Sequence, residues 1–209
     1  MNKTPGPSDF DSAYENYAAP WVIGEPQPAV VELERDGWFS GSVLDVGCGA
    51  GEHTIHLTRL GYRVLGIDAS VPAIDHARAN AQHHGVGARF EVADALNLGG
   101  EQFDTILDSA LFHIFDPADR APYVASLGAA CKPGGVVHVL ALSDDGPGFG
   151  PEVSDEAIRQ AFGEGWELEA IAVSRYLAVA TAEHHIKELG YQKGERVELP
   201  AWLARIRRV

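Results

Sequence analysis

The chain is poor in positive charge. Against 30 Asp and Glu residues stand only 16 Lys and Arg, a formal net charge of −14 at pH 7 with histidines neutral. Affinity for a phosphate backbone comes from cations that displace counterions, so a chain this acidic disfavours a nucleic-acid partner unless it gathers a local basic patch. The densest basic stretch is Arg205, Arg207 and Arg208 at the C-terminus, which reads as a solvated strand end. Cysteine is scarce as well. Cys48 and Cys131 are the only two and have no CxxC spacing, so neither a disulfide scaffold nor a zinc site is indicated. No apolar run approaches the ~20 residues of a membrane span, and the opening MNKTPGPSDFD lacks the apolar stretch of a signal peptide. These absences predict a cytoplasmic location and no membrane partner. Internal repeats and low-complexity tracts are missing too.

What is present is an ordinary globular composition, 45% hydrophobic with 23 Gly and 12 Pro, enough for one sizeable core. Residues 1–35 read as a Pro-rich tail, loose to about residue 9, followed by a helical cap or lid; residues 36–209 read as the core. From Ser42 onward, short apolar strands alternate with helical segments: SVLDV, HTIHLTRL, RVLGID, VPAIDHARANAQHH, ARFEVAD, FDTILDSA, APYVASLGAACK and VVHVLALS. Alternation of this kind predicts an α/β fold, a mostly parallel sheet with helices on both faces. After a Gly- and Pro-rich loop and a short helix near 155–162, WELEAIAVSRYLAV and LPAWLARIRR read as two strands that pair antiparallel and complete a seven-stranded sheet. Between them, TAEHHIKELGYQKGE reads as a short helix and a loop.

The most informative segment is VLDVGCGAGE at 43–52, a strand that runs into Gly47-x-Gly49-x-Gly51 and then a helix. Glycines at this spacing let the chain turn tightly and let a ligand approach the backbone. Asp68 ends the next strand about 20 residues on, where a carboxylate can accept both ribose hydroxyls of an adenosine-containing cofactor. Ser70, just before Val71-Pro72, is better placed as the helix N-cap, which leaves Asp68 free for a ligand. A nicotinamide dinucleotide and S-adenosylmethionine both fit so far. The glycine spacing separates them. A dinucleotide fingerprint wants glycine at position 52, and Glu52 would oppose a pyrophosphate there. Asp45, two residues before the first glycine, can orient the loop and face a cation, and S-adenosylmethionine carries a sulfonium and an ammonium.

With these segments, the chain resembles the class I S-adenosylmethionine-dependent methyltransferases. The resemblance rests on VLDVGCGAG at 43–51, GIDAS at 66–70, EVADAL at 91–96, FDTILDSALFH at 103–113 and CKPGG at 131–135, in order and at the right spacing. It implies a Rossmann-like fold and a cofactor site of Gly47, Cys48, Gly49 and Gly51 through backbone, Asp68 with Ala69 and Ser70 at the ribose, and Asp94 with Ala95 at the adenine. Asp108 and Ser109 would border the ammonium and the transferred methyl. A narrower resemblance links APWVIGEPQP at 19–28 to the segment preceding the core in small-molecule thiol, halide and thiopurine methyltransferases. There it closes over the cofactor, a role it implies for Trp21, although a core tryptophan on the cap fits equally. Val22 stands where such segments often carry Asp.

Methyl transfer is an in-line displacement that needs alignment, desolvation and, for a protonated nucleophile, a base. His113 is the first candidate base, with wall residue as its alternative; Tyr14 and Tyr17, spaced as helix neighbours, could orient substrate. His184-His185 lie in the last connection, where small substrates are often held in such enzymes, but carboxylates to complete a metal site are not evident, so no metal is expected. A pocket of Phe10, Tyr14, Tyr17, Trp21, Phe112, His113 and Phe149 suits a flat or hydrophobic small molecule. The expected reaction is methylation of a thiol, phenol or heterocyclic nitrogen by a monomer or homodimer. A nicotinamide-dependent oxidoreductase and a non-catalytic S-adenosylmethionine-binding module are the alternatives. From Glu91 to Asp119 the chain carries acids without a single Lys or Arg, and with Asp45 and Asp68 they describe a field that suits a cationic cofactor.

Overall fold

The computed structural model describes residues 4–209. Its strands are β1 Ser42–Val46, β2 Arg63–Asp68, β3 Arg89–Val92, β4 Phe103–Ser109, β5 Cys131–Leu142, β6 Trp166–Val179 and β7 Arg196–Arg208. They form one seven-stranded sheet in the order β3-β2-β1-β4-β5-β7-β6. β1 to β5 pair in parallel, and β7 runs antiparallel between β5 and β6. The helices are α1 Pro7–Glu15, α2 Pro28–Arg35, α3 Glu52–Arg59, α4 Val71–His83, α5 Pro117–Ala130, α6 Asp155–Ala161 and α7 Glu183–Lys187. Single 3₁₀ turns occupy Ala95–Asn97 and Phe112–Ile114.

The sheet is covered on both sides. All five residues of β1 are buried, and successive residues point to opposite faces, as the two-residue period of a strand requires. Val43 joins Val30 and Leu33 of α2 and Leu57 of α3 on one face, whereas Leu44 joins Tyr123 and Leu127 of α5 on the other. Each such side chain contributes roughly 1.5–3 kcal/mol by leaving water. Strand order reverses between β1 and β4, which opens a crevice at their C-terminal ends, where open α/β sheets bind ligands.

Several boundaries differ from the sequence reading. α1 begins at Pro7, inside the stretch expected to be loose, because the Asp9 carboxylate accepts the Gly6 amide at 2.7 Å and closes the first turn. α5 begins at Pro117 and not near Ala121: Asp116 caps it by accepting from the amides of Ala118 and Asp119, and Pro117 occupies the first turn. β5 starts at Cys131, which pairs with Phe103, and a register shift before Thr105 absorbs Pro133-Gly134-Gly135.

Candidate active site

The turn after β1 holds three left-handed residues, Gly47 at φ 71°, Gly49 at 54° and Gly51 at 84°. A Cβ on Gly49 would lie 2.8 Å from the Tyr14 hydroxyl, and one on Gly51 2.8 Å from the Phe90 ring. Conformation and space therefore both demand glycine. The Cys48 amide donates to the Ile67 carbonyl at 2.8 Å and ties the turn to β2. Asp68 completes the cradle: its Oδ2 accepts from the Gly49 amide at 3.0 Å and its Oδ1 from the Ser70 amide at 2.9 Å. Both oxygens keep a lone pair for a ligand hydroxyl.

Over this cradle lies a cavity of about 1010 Å³ that spans the strand tips from β3 to β6. Gly47, Asp68, Ala69, Ser70, Asp94, Ala95 and Ser109 line it at the tips of β1 to β4. Phe10, Tyr14 and Trp21 bound it from the N-terminal segment, and His113, Leu142, Phe149, Tyr176, Thr181, His184 and His185 extend it toward β6. Asp68, Asp94 and Asp119 are its carboxylates, and no Lys or Arg is among its described lining residues. The Ser109 hydroxyl is buried on this wall without a hydrogen-bond partner. Acidic residues and an unsatisfied hydroxyl fit a cationic cofactor rich in hydroxyls. Among the described residues no group of three or more His, Cys, Asp or Glu is arranged to hold a metal ion.

Other sequence candidates sit elsewhere. Asp45 does not face the cavity: it accepts the Thr54 hydroxyl at 2.6 Å inside the protein, where burial raises its pKa to about 7. It ties the end of β1 to the first turn of α3. Asp108 is also turned inward. It accepts from the Tyr123 hydroxyl at 2.7 Å and from the amides of Leu111 and Phe112 at 2.9 and 3.1 Å, with burial raising its pKa to about 6. It shapes the turn that presents His113 and does not line the cavity. Phe112 packs on Phe162 in the core, because the tight 3₁₀ turn aims consecutive side chains about 120° apart. Tyr17 is 85% exposed and stacks on His76; its left-handed φ of 51° breaks the helical spacing that related it to Tyr14. The side chain of Cys48 and the positions of Gly49 and Gly51 lie behind the cavity wall, Gly51 serving close packing against Phe90.

His113 reaches the cavity but is not equipped as a base. Its Nδ1 accepts the Leu142 amide at 3.0 Å, and burial lowers its pKa to about 4. The ring is neutral with its proton on Nε2, so the one lone pair is already engaged. Tyr14 accepts the Trp21 indole N–H at 2.6 Å, and burial raises its pKa well above the usual phenol value, which keeps it protonated. His53, by the cradle, accepts the Gln27 amide at 3.1 Å and serves structure.

Sequence reasoning missed Ala110 and Thr181. Ala110 lines the cavity in a left-handed conformation at φ 71°, held by its amide bond to the Leu140 carbonyl at 2.8 Å; an alanine carries no signal for this geometry. Thr181 places a buried, unpartnered hydroxyl on the same wall. The β6–β7 connection also stacks His185 on Phe149 at 3.6 Å, its Nδ1 accepting the Ala182 amide and its Nε2 donating to the Phe149 carbonyl at 2.9 Å.

Residues 43–135 match the model of a methyltransferase domain family. The chain is 35% identical over 185 residues to the 2-heptyl-1-hydroxyquinolin-4(1H)-one methyltransferase of Mycobacteroides abscessus, covering 81% of each chain. A solved structure concerned with conversion of a disulfide bond into a thioacetal group during echinomycin biosynthesis is 38% identical and superimposes with a TM-score of 0.86, over 96% of this chain and 91% of that one. At 18% identity and a TM-score of 0.63, the magnesium protoporphyrin IX methyltransferase of Synechocystis PCC 6803 with bound S-adenosylmethionine shares the fold over 87% of this chain and 76% of its own. A glycine cradle under an acidic, hydroxyl-bearing wall and a relative matched over four-fifths of both chains lead to one assignment. The chain belongs to the class I S-adenosylmethionine-dependent methyltransferases and is an enzyme of that family.

Proposed function

We propose that the enzyme methylates a flat, largely apolar small molecule through an acidic aromatic or heteroaromatic hydroxyl that reaches the site already ionised. Asp68 with Ala69 and Ser70 would hold the ribose, Asp94 and Ala95 the adenine, and the backbone at Gly47 with the Ser109 hydroxyl the methionine part. When bound, S-adenosylmethionine supplies a methyl group on a cationic sulfur; the acceptor's electron pair forms the new bond, and sulfur keeps the pair of the broken one as S-adenosylhomocysteine leaves. Tyr14 and Trp21, locked together over Gly49, would exclude water from the transfer.

The observation that carries the acceptor class is the wall that continues past the cofactor residues, where Phe10, Leu142 and Phe149 are apolar and the ring lone pairs of the two buried histidines, His113 and His185, are engaged, the exposed His184 keeping its Nδ1 free among the described residues at the edge. An acceptor held there sheds its proton to water before it binds, so an acidic hydroxyl fits better than an alcohol. The Mycobacteroides relative, named for a bicyclic N-hydroxy heterocycle with an alkyl chain, supports the same class. Thiols and ring nitrogens are the competing nucleophiles. A labelled-methyl assay on 2-heptyl-1-hydroxyquinolin-4(1H)-one, a thiophenol and an N-heterocycle tests the reading: fastest transfer to the hydroxyl is expected, and transfer confined to the thiol or the ring nitrogen overturns it. A cytoplasmic location and the absence of a nucleic-acid partner belong to the same proposal; among the described residues no helix is long and apolar enough to cross a membrane.

A further inference from the structure

His113 combines three properties that a wall residue does not need. It is only 7% exposed, yet its ring borders the cavity. The Leu142 amide, at the end of β5, donates to Nδ1 at 3.0 Å, and because a backbone N–H can only donate, the ring proton is assigned to Nε2. Nε2 forms no hydrogen bond among the described residues, and the Thr181 hydroxyl on the same wall is likewise without a partner. Nε2–H therefore remains available at the cavity wall for a ligand atom with a lone pair.

We infer that His113 is the fixed hydrogen-bond donor of the acceptor site, holding through Nε2–H a ring oxygen that is conjugated with the nucleophilic atom. This rests on the reading of the extended wall as the acceptor site. The oxygen it holds is not the one methylated. A donor on the nucleophile would engage the electron pair that must form the new bond, whereas a donor on a conjugated carbonyl leaves that pair free. It also stabilises the anion, whose charge is shared with the carbonyl, and so raises the ionised fraction of the bound acceptor. The substrate class becomes narrower: flat rings with a carbonyl conjugated to an acidic hydroxyl, in preference to isolated phenols. His113 is then a specificity-determining residue, with the Leu142 amide as the group that fixes its tautomer.

Two measurements test this. In ¹⁵N-histidine NMR, with His113→Gln identifying the resonance by its loss, His113 should show a protonated Nε2 and a bare Nδ1, unchanged between about pH 5 and 8. The opposite tautomer, or a titration inside that window, overturns the assignment. In calorimetry with S-adenosylhomocysteine present, the probes are 2,3-dihydroquinolin-4(1H)-one and 1,2,3,4-tetrahydroquinoline, which differ only by the ring carbonyl. The wild-type enzyme should bind the carbonyl compound at least about tenfold more tightly, His113→Ala should lose that preference, and His113→Gln, whose amide N–H can replace Nε2–H, should keep most of it. A base role would not be rescued by glutamine. Equal binding of both probes by the wild type, or a preference that persists in His113→Ala, overturns the donor role and leaves the proposed acceptor site intact. If neither probe binds while S-adenosylhomocysteine does, the acceptor site and the donor role fall together.

Discussion

Aspartates at neighbouring strand ends have different fates because their side chains point to different surroundings. Asp45 and Asp108 face the protein, Asp68 the cavity. Burial raises the pKa of Asp45 from 3.8 to about 7, so the fold prefers it protonated; its contribution to stability is complete below the unfolded value and is lost as pH rises through about 7. Asp45→Asn keeps an acceptor for the Thr54 hydroxyl and removes the charge. Denaturant melts at about pH 5 and about pH 8.5 should show the wild type weakening relative to the variant by up to a few kcal/mol; parallel pH dependence in the two proteins would contradict the burial argument. Asp68→Ala should loosen S-adenosylhomocysteine by roughly 10- to 150-fold in calorimetry, the worth of a charge-assisted hydrogen bond of ~1.5–3 kcal/mol, and an unchanged affinity would remove its ribose role. The glycine spacing and Asp68 were legible in the sequence because they are local. The inward turn of Asp45 was not, since its partner Thr54 lies nine positions on, in the first turn of α3, and nothing in VLDVG shows which way the carboxylate faces.

At the scale of elements, α1 is among the helices held by the fewest buried residues of their own. Tyr14 is the one buried residue of α1, and the helix is tied to the start of α4 by the Ser70 hydroxyl, which donates to Asp11 at 2.7 Å. Few buried contacts mean a low cost of local opening. Amide exchange in α1 should therefore be much faster than in β1 and β4 and should slow when S-adenosylhomocysteine binds; α1 protected as strongly as the central strands would make it part of the core instead. The strand-and-helix alternation was plain in the sequence from Ser42 onward because central parallel strands are continuous apolar runs. Element starts were harder. Ala121-Pro122 resembles a helix start but lies inside α5, whose start is Asp116-Pro117, and Pro133-Gly134-Gly135 interrupts the beginning of β5, whose irregularity only pairing with β4 accommodates.

Over the whole molecule, the charge of −14 has two consequences. Acids lining the cavity favour a cationic cofactor, and the rest repel one another. Raising ionic strength from ~0.01 to ~0.15 M shortens the screening length from ~30 to ~8 Å, so the melting temperature should rise by a few degrees; a fall would mean that surface ion pairs such as Arg205 and Arg207 with Glu169 outweigh the net repulsion. The cavity itself is a whole-molecule feature. Phe149, Thr181 and His185 meet Leu142 and His113 only because β7 and β6 close the sheet beside β5, and no local pattern announces that association. It also turned His113 from a candidate base into a donor, through an amide 29 positions away. The central claim, methyl transfer to an acceptor that arrives ionised with no buried histidine acting as base, is tested most directly by pH–rate profiles of kcat/KM for two hydroxyquinolinones of different acidity. The account predicts that the midpoint of each profile follows the pKa of its acceptor; one midpoint shared by both acceptors would place an enzyme base in the step and contradict it.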